Sequence, residues 1–376
     1  MSKVKILHCP IGSMNIGGIE NMIMQMYRHI DRDKFEFDFL VHDENKNFYE
    51  DEINSFGGKL YRIDFISKHP IKHVVNFIKF FKKHPEYQII HIHTTYSIMF
   101  VDAMIAKLFD RKVIIHSHNS SAPGKRKIIH KLFKNIQNYF SDYRVSCSDY
   151  ASEWMFPKRV QNEVVFWPNA LDITCLKFDS KLRDTLRTDY QVGDKFIIGN
   201  IGRFSYQKNQ TKLIDVFTYY NKYNSNSELW LIGDGPDKVK LKSYVEELGI
   251  SDYVKFMGPT DNVVAYLSAL DFFIMTSHYE GLPLSLIEAQ ATGLNTITLS
   301  DGITKLVKVA PYLKYLENNA TNNEWKNAIE AGKSNQFNRD KAFELIQKSQ
   351  FNIENWIIEV EKIYTIISKG GKINVN

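Results

Sequence analysis

The 376-residue chain has only three cysteines, Cys9, Cys147 and Cys175, scattered and without a CxxC pair. That excludes a disulfide framework and a thiolate zinc site, and it points to a reducing compartment. No stretch of about 18 apolar residues runs free of charge, so no membrane-crossing helix is expected. The opening run from Met1 to His8 is short and strand-like and lacks a signal-peptide core. These absences predict a cytoplasmic protein, at most peripheral at the inner face of the cell membrane. There is no repeat of roughly 20–50 residues and no low-complexity tract. GxGxxG followed by an acid about 20 residues on is also missing, which argues against a dinucleotide-dependent oxidoreductase.

Apolar residues at 44% and aromatics at 13% are ample for folded cores. The length makes two domains the default. The net charge of +5 is unevenly spread. Residues 1–170 hold 24 Lys/Arg against 18 Asp/Glu, and residues 171–376 hold 24 against 25. Residues 68–134 alone carry 13 basic and 3 acidic side chains. Eleven of the twelve histidines lie in the first 170 residues. Local basic patches meet anionic lipid, nucleic acid or phosphorylated substrates.

Short β-branched runs alternate with amphipathic stretches from the first residues. Val4–Cys9, Phe37–Val41, Ile89–Ile92, Val113–His116 and Tyr143–Cys147 read as buried strands. Helical patterns lie between them at Ile19–Ile30, Ile71–Lys83, Ile98–Phe109 and Lys127–Tyr139. Such spacing predicts parallel βαβ units. The pattern pauses over Glu163–Asn169, and a charged segment from Asp172 to Asp194 reads as irregular. Alternation restarts with Phe196–Ile201, Leu229–Ile232, Val254–Met257, Phe272–Met275 and Thr296–Leu299. Two successive Rossmann-like units are expected, residues 1–170 and 171–351. A tail helix over Asn352–Ser368 carries an apolar stripe of Trp356, Ile357, Val360, Ile363, Tyr364 and Ile367, which must bury against something.

Glu280-Gly281-Leu282-Pro283-Leu284-Ser285-Leu286-Ile287-Glu288 is the most informative segment. It follows a strand-like run, and Pro283 suits the first turn of a helix. A carboxylate, a glycine and free backbone amides thus meet at a strand-to-helix turn, where open α/β sheets bind ligands and helix N-termini attract phosphate. Were both glutamates helical, they would lie about 80° apart around the axis and about 12 Å along it. They cannot then face each other as a glycosidase-type acid/base pair. Holding different parts of one ligand fits better.

Gly202-Arg203-Phe204-Ser205-Tyr206-Gln207-Lys208-Asn209 leaves the first strand of the second unit. Arg203 can grip a diphosphate bidentately and Lys208 adds a point charge; two solvated loop charges are the plain alternative. Gly233-Asp234-Gly235-Pro236 is another strand-to-helix turn, explained almost as well by tight geometry as by a nucleotide. Gly17 and Gly18, between the first strand and helix, allow close approach of a phosphate or simply make a turn. His91 and His93, and then His116 and His118, sit at two strand ends. Alternation is taken to send His91 and His93 to opposite faces, so that they could not share a metal without a bend. A strand-end histidine can reach a ligand crevice, and a structural role competes. Asp31-Arg32-Asp33 is a DxD triplet on the edge away from the crevice and reads as a solvated cap. Lys68–His84 and Lys125–Lys134 are basic amphipathic stretches, read first as packed helices and alternatively as a membrane-facing surface.

Together these pieces resemble the retaining glycosyltransferases of family 4 (GT4), of GT-B fold, and most closely those that build bacterial capsular and exopolysaccharides. The resemblance covers nearly the whole chain. It rests on Gly17–Glu20, His116–Asn119, Ser146–Ser148, Pro168–Asp172, Gly202–Lys208, Gly233–Pro236 and, most specifically, the EX7E pattern Glu280–Glu288. Gly293-Leu294-Asn295 departs from the family by lacking a proline. The resemblance implies an α/β architecture of two Rossmann-like domains facing a central cleft, with the C-terminal helix (352–376) returning to the N-terminal, acceptor-binding domain.

It also implies residue roles. Arg203 and Lys208 would hold the donor diphosphate, with Gly17 and Gly18 approaching it and Gly202 and Gly233 beside it. Glu280 would lie beside the donor sugar, with the turn of Gly281, Leu282, Pro283 and Leu284 and its free N–H groups at sugar hydroxyls or phosphate. Glu288 would bind the ribose, His118 would face the donor sugar, and Asn262 and Val263 would sit near the base. The implied donor is a nucleotide sugar, UDP-linked by family weight, and the acceptor a lipid-linked or oligosaccharide one; no nucleic acid is expected. Arg203 and Lys208 can stabilise the leaving group electrostatically, so no metal and no cofactor are expected. Domain closure would complete the site. A non-catalytic sugar-nucleotide-binding subunit of a transferase complex is the alternative.

Overall fold

A computed structural model describes residues 3–10, 12–122, 124–335 and 338–373. Met1 and Ser2, at the start of the run read as lacking a signal-peptide core, lie outside the described residues, as do residues 374–376 of the tail. The chain forms two units. The first holds residues 1–171 and 353–376, and the second residues 172–352.

The first unit contains β1 (Val4–Cys9), β2 (Phe35–Val41), β3 (Leu60–Arg62), β4 (Ile89–Thr94), β5 (Lys112–Ser117), β6 (Tyr143–Ser146) and β7 (Val164–Phe166). They pair in parallel in the order β3-β2-β1-β4-β5-β6-β7. The second contains β8 (Phe196–Ile201), β9 (Ser227–Ile232), β10 (Val254–Gly258), β11 (Phe272–Met275), β12 (Asn295–Leu299) and β13 (Leu313–Leu316). Their order is β10-β9-β8-β11-β12-β13, again parallel. Near-continuous apolar strands such as Phe272–Met275 fit this architecture, because a parallel sheet carries helices on both faces. In each sheet the chain reverses its direction of travel beside the first strand, at β1/β4 and β8/β11. Loops diverge there and leave a crevice.

Ile6, Phe37, Ile89 and Ile114 pack under the first helix, Gly18–His29, and under the tail helix, Ile353–Ser368. Trp356, Val360, Ile363, Tyr364 and Ile367 are buried there, so the tail stripe covers the first unit's own sheet. The opposite face carries Leu7, Ile90, Ile92, Val113 and Ile115 against the helices Pro70–Lys83 and Phe100–Leu108.

β3, β7 and β13 escaped the sequence reading. β3 and β7 have three residues each, too few for a period to register, and the four of β13 are broken by Lys314 rather than forming an apolar run like Phe272–Met275. The segment expected to be irregular holds a helix, Ser180–Asp189, that buries no residue. Its apolar face is missing because charge does the holding. Arg183 Nη1 donates to the carbonyls of Ser268, Ala269 and Leu270 at 2.9–3.1 Å, at the C-terminal end of the helix Val263–Ala269, and Nη2 reaches Asp271 at 2.6 Å. A cation at the negative end of a helix is favourable. The Asp31–Asp33 triplet is a turn in which Asp31 accepts from Asp33 N at 3.0 Å and pairs with Lys34.

The two basic stretches differ. Helix Pro70–Lys83 buries His73, Phe77, Phe80 and Phe81, so it is a packed helix. Helix Lys125–Tyr139 leaves Ile128, Leu132, Ile136 and Tyr139 exposed, a single stripe at helical spacing.

Candidate active site

The second unit gathers most of the candidate residues where β8 and β11 part. Gly202 follows β8 directly, and the chain continues through a single 3₁₀ turn, Tyr206–Lys208, into helix Gln210–Asn221. Asn209 takes a left-handed conformation to make this junction. The loop is locked to its neighbours by backbone. Gly202 N donates to Ile232 O, Phe204 N to Asp234 O and His278 N to Gln207 O, at 2.8–3.0 Å. Gly233 has φ 139°, and a Cβ there would meet Gly202 O at 2.1 Å. Tight backbone geometry therefore accounts for that glycine on its own.

Lys208 comes out of this turn toward β11. Its Nζ lies 2.7 Å from Glu280 Oε1. Gln207 Nε2 donates to Glu280 Oε2 at 3.3 Å and to Tyr279 O at 3.0 Å, and Glu280 N donates to Gly302 O at 2.8 Å. Glu280 is buried. It lies in the loop before the helix rather than in it, since the helix spans Leu284–Ala291 with Pro283 as its N-cap. No side chain caps that N-terminus. Glu288 stands one turn inside. Its residue keeps some surface, but the carboxyl is closely surrounded by protein. Loss of hydration pushes it up to about 7, against an opposing pull from the Lys208 charge. Lys208 is therefore paired with one carboxyl, and its charge is felt by the other.

Gly281 and Pro283 are buried and Leu282 and Leu284 half-buried along the same turn. Arg203 is exposed, and its guanidinium has no ion-pair partner among the described residues. Asn262 and Val263 stand apart from this cluster, after β10, two strands from β8. There the Asn262 side chain caps its own helix by accepting from Ala265 N at 3.2 Å. Three contributors were missed. Gln207 carries no charge to flag it. Gly302, whose carbonyl fixes Glu280, takes φ 77°, and a Cβ there would also strike His278 O at 2.1 Å. Ser277, at the end of β11, has a buried hydroxyl without a partner among the described residues.

In the first unit, Gly17 precedes helix Gly18–His29, whose N-terminus also lacks a side-chain cap. Gly17 is extended, a conformation open to any residue, but a Cβ there would meet Glu20 Oε2 at 2.2 Å, whereas a Cβ at Gly18 would meet nothing within 4 Å. Neither glycine is required by a left-handed turn, and only Gly18 faces open space.

His118 retains 8% exposure, just past β5, while His8, His91, His93 and His116 are fully buried. The expectation that His91 and His93 diverge is wrong. A strand's side chains repeat with period two, so residues two apart share a face. His93 Nδ1 lies 3.1 Å from His118 Nε2, and His8 Nδ1 lies 2.9 Å from His93 Nε2. His91 Nδ1 lies 2.7 Å from the Tyr364 hydroxyl and its Nε2 lies 3.3 Å from His116 Nδ1. Burial lowers His118 and His8 to about 3 and holds the other three far below the ordinary range, helped by repulsion among the rings.

The family model for "Glycosyl transferases group 1" matches residues 183–348, and that for "Glycosyltransferase Family 4" matches residues 16–174. The chain is 30% identical over 315 residues to the putative glycosyltransferase EpsF of Bacillus subtilis, covering 81% of each chain. It is 28% identical over 326 residues to the capsular polysaccharide biosynthesis glycosyltransferase CapH of Staphylococcus aureus, covering 83% of this chain and 85% of CapH. Among solved structures it is similar to Anabaena HepE in complex with UDP, with a TM-score of 0.77 and 17% identity over 96% of this chain and 99% of HepE. That likeness, with the two parallel sheets, shows the GT-B fold.

Proposed function

The chain belongs to the glycosyltransferases that join these two domains. From that premise we propose that it moves a hexose or N-acetylhexosamine from a UDP-sugar to a lipid-linked or glycan acceptor in cell-surface polysaccharide biosynthesis, with retention of anomeric configuration. One observation carries the reading. Lys208 is paired with buried Glu280 and lies close enough to Glu288 to pull on its proton, all where the second sheet opens its crevice. A diphosphate entering there meets Lys208 and the unpaired Arg203, and the uncapped N-terminus of helix Leu284–Ala291 adds backbone donors. These groups stabilise the departing nucleotide without a divalent ion. Glu280 then acts at the sugar and Glu288 at the ribose. UDP is favoured because HepE is described with UDP, and the polysaccharide context because CapH is a capsular enzyme by name.

The acceptor side points to a membrane. Helix Lys125–Tyr139 has no acidic residue, and its stripe is 61% exposed at Ile128, 65% at Leu132 and 81% at Tyr139. Lys125, Arg126, Lys127 and Lys131 flank it. An apolar stripe edged with cations fits the interface of an anionic bilayer, where a lipid-linked acceptor resides. Among the described residues no helix is long and apolar enough to cross a membrane.

A panel of nucleotide sugars, read by thermal stabilisation, donor hydrolysis and transfer to lipid-linked acceptors, tests the reading. Stabilisation by a UDP-sugar with turnover supports it. Binding with neither hydrolysis nor transfer favours the non-catalytic subunit instead.

A further inference from the structure

Five histidines of the first unit form one layer at the carboxyl edge of its sheet. His8 pairs in register with His91 across β1 and β4, and His93 with His116 across β4 and β5. His118 follows two residues after His116 and so joins the same face. Among the described residues no carboxylate or cation is hydrogen-bonded to any of the five. Apart from one another, their only side-chain hydrogen-bond partner is the Tyr364 hydroxyl.

We propose that His93, His116 and His118 bind a divalent transition-metal ion of the zinc class, with His8 and His91 orienting two of them from behind. One ring nitrogen from each of the three lies within 4.8 Å of the others. His93 Nδ1 and His118 Nε2 are 3.1 Å apart. Zinc–nitrogen bonds of about 2.0–2.1 Å at tetrahedral angles put neighbouring ligand atoms about 3.3–3.4 Å apart, so this pair needs only a few tenths of an ångström of adjustment. Imidazole is a favoured donor for zinc, copper and nickel.

The second nitrogens of two of the three ligands, His93 and His116, are held as a metal site requires. A metal-bound histidine donates its other N–H to a partner that fixes ring and tautomer. His93 Nε2 has His8 Nδ1 at 2.9 Å for this. His116 Nδ1 has His91 Nε2 at 3.3 Å, which is backed in turn by the Tyr364 hydroxyl. His116 Nε2 and His118 Nδ1 are buried nitrogens with no well-aligned hydrogen bond among the described residues, although the Trp167 backbone lies close enough to the His116 ring to favour its protonated form. Protons balance without loss. With one on His93 Nε2 and one on His118 Nδ1, both facing lone pairs point at the ion and every imidazole stays neutral. A second trio, His8, His91 and His93, also lies within range but is wholly enclosed. His118, which alone of the five keeps some exposure, puts the chosen trio nearest the surface. Occupancy fixes His118 with Nδ1–H directed away from the ion. The proposal stands apart from the donor reading of the second unit.

The test uses the tag-free, full-length chain after chelation, titrated calorimetrically with Zn²⁺ and spectroscopically with Co²⁺. The expected result is one ion per chain with the intense visible bands of tetrahedral cobalt. His116→Asn and His118→Asn are each expected to weaken binding at least about 100-fold, and His8→Gln about 10–100-fold. His29→Asn and His69→Asn, at exposed positions, leave it unchanged. Absence of a one-to-one complex, binding that disappears with the exposed histidines, or unchanged affinity in His118→Asn overturns the proposal. His118 keeps 8% exposure where the other four histidines keep none, so its variant is the less disruptive one and decides the matter if His116→Asn does not fold.

Discussion

Lys208 Nζ stands 2.7 Å from Glu280 Oε1, and the carboxylate of that pair is buried. A buried pair stripped of one partner leaves an uncompensated charge, whereas removing both costs far less. Lys208→Met is therefore expected to lower stability by about 1–3 kcal/mol, moderated because Lys208 keeps part of its exposure. The double variant Lys208→Met/Glu280→Gln should recover most of that loss. Thermal unfolding of the four proteins gives the coupling directly; purely additive losses would show that the pair is not a coupled one.

Arg203 offers the contrast. It is exposed and without an ion-pair partner among the described residues, so Arg203→Ala should leave stability within about 0.5 kcal/mol. If it holds the diphosphate, kcat/KM falls about 100–1000-fold, comparable to losing one preorganised donor to a transition-state charge. Turnover unchanged in Arg203→Ala combined with Lys208→Ala would remove the diphosphate assignment.

Glu288 gives a pH signature. In the unfolded chain its carboxyl takes the ordinary value of 4.5, and in the folded chain it is raised to about 7. The folded state thus holds this proton more tightly. The resulting stability is complete below about pH 4.5 and is lost as pH rises through 7. Glu288→Gln cannot lose it, so the variant should be the more stable at pH 8, by up to a few kcal/mol, and indistinguishable near pH 4.5. Nucleotide binding should move the other way. The ionised carboxyl is the better acceptor for ribose hydroxyls, so UDP binds more tightly as pH rises through 7, and Glu288→Ala weakens it about 10–100-fold. Glu280→Ala should instead lower transfer while largely sparing UDP affinity. The same profile from both variants would undo the division of labour between the two glutamates.

Most of this arrangement was legible because it is written in local chemistry. Apolar runs such as Phe272–Met275 announce buried parallel strands, and Glu280–Glu288 announces the turn after one of them. What was not legible depends on partners distant in the chain. Helix Ser180–Asp189 has no apolar stripe because Arg183 fastens it to carbonyls some 85 residues away. Gln207 and Gly302 matter only once the fold brings them to Glu280. The histidine layer was misjudged by a wrong application of strand periodicity. Its pairing across β1, β4 and β5 then needed the register, which no single strand reveals.

The stripe on helix Lys125–Tyr139 can be tested without touching either site. Ile128, Leu132 and Tyr139 are exposed, so Ile128→Asp with Leu132→Asp should leave stability within about 1 kcal/mol. Binding to vesicles rich in anionic lipid, measured by co-sedimentation, should fall sharply in that variant. Lys127→Glu with Lys131→Glu should weaken it through charge alone, each lysine near the surface contributing about 1 kcal/mol. Binding of the wild-type chain should weaken as salt rises, since the Debye length shrinks to about 3 Å at 1 M. If the aspartate variant binds as well as wild type, the stripe is not the membrane contact. If neutral vesicles bind the wild type equally, the flanking cations have no part in it. Loss of transfer to a lipid-linked acceptor, with donor hydrolysis kept, would tie the stripe to acceptor access rather than to the donor site.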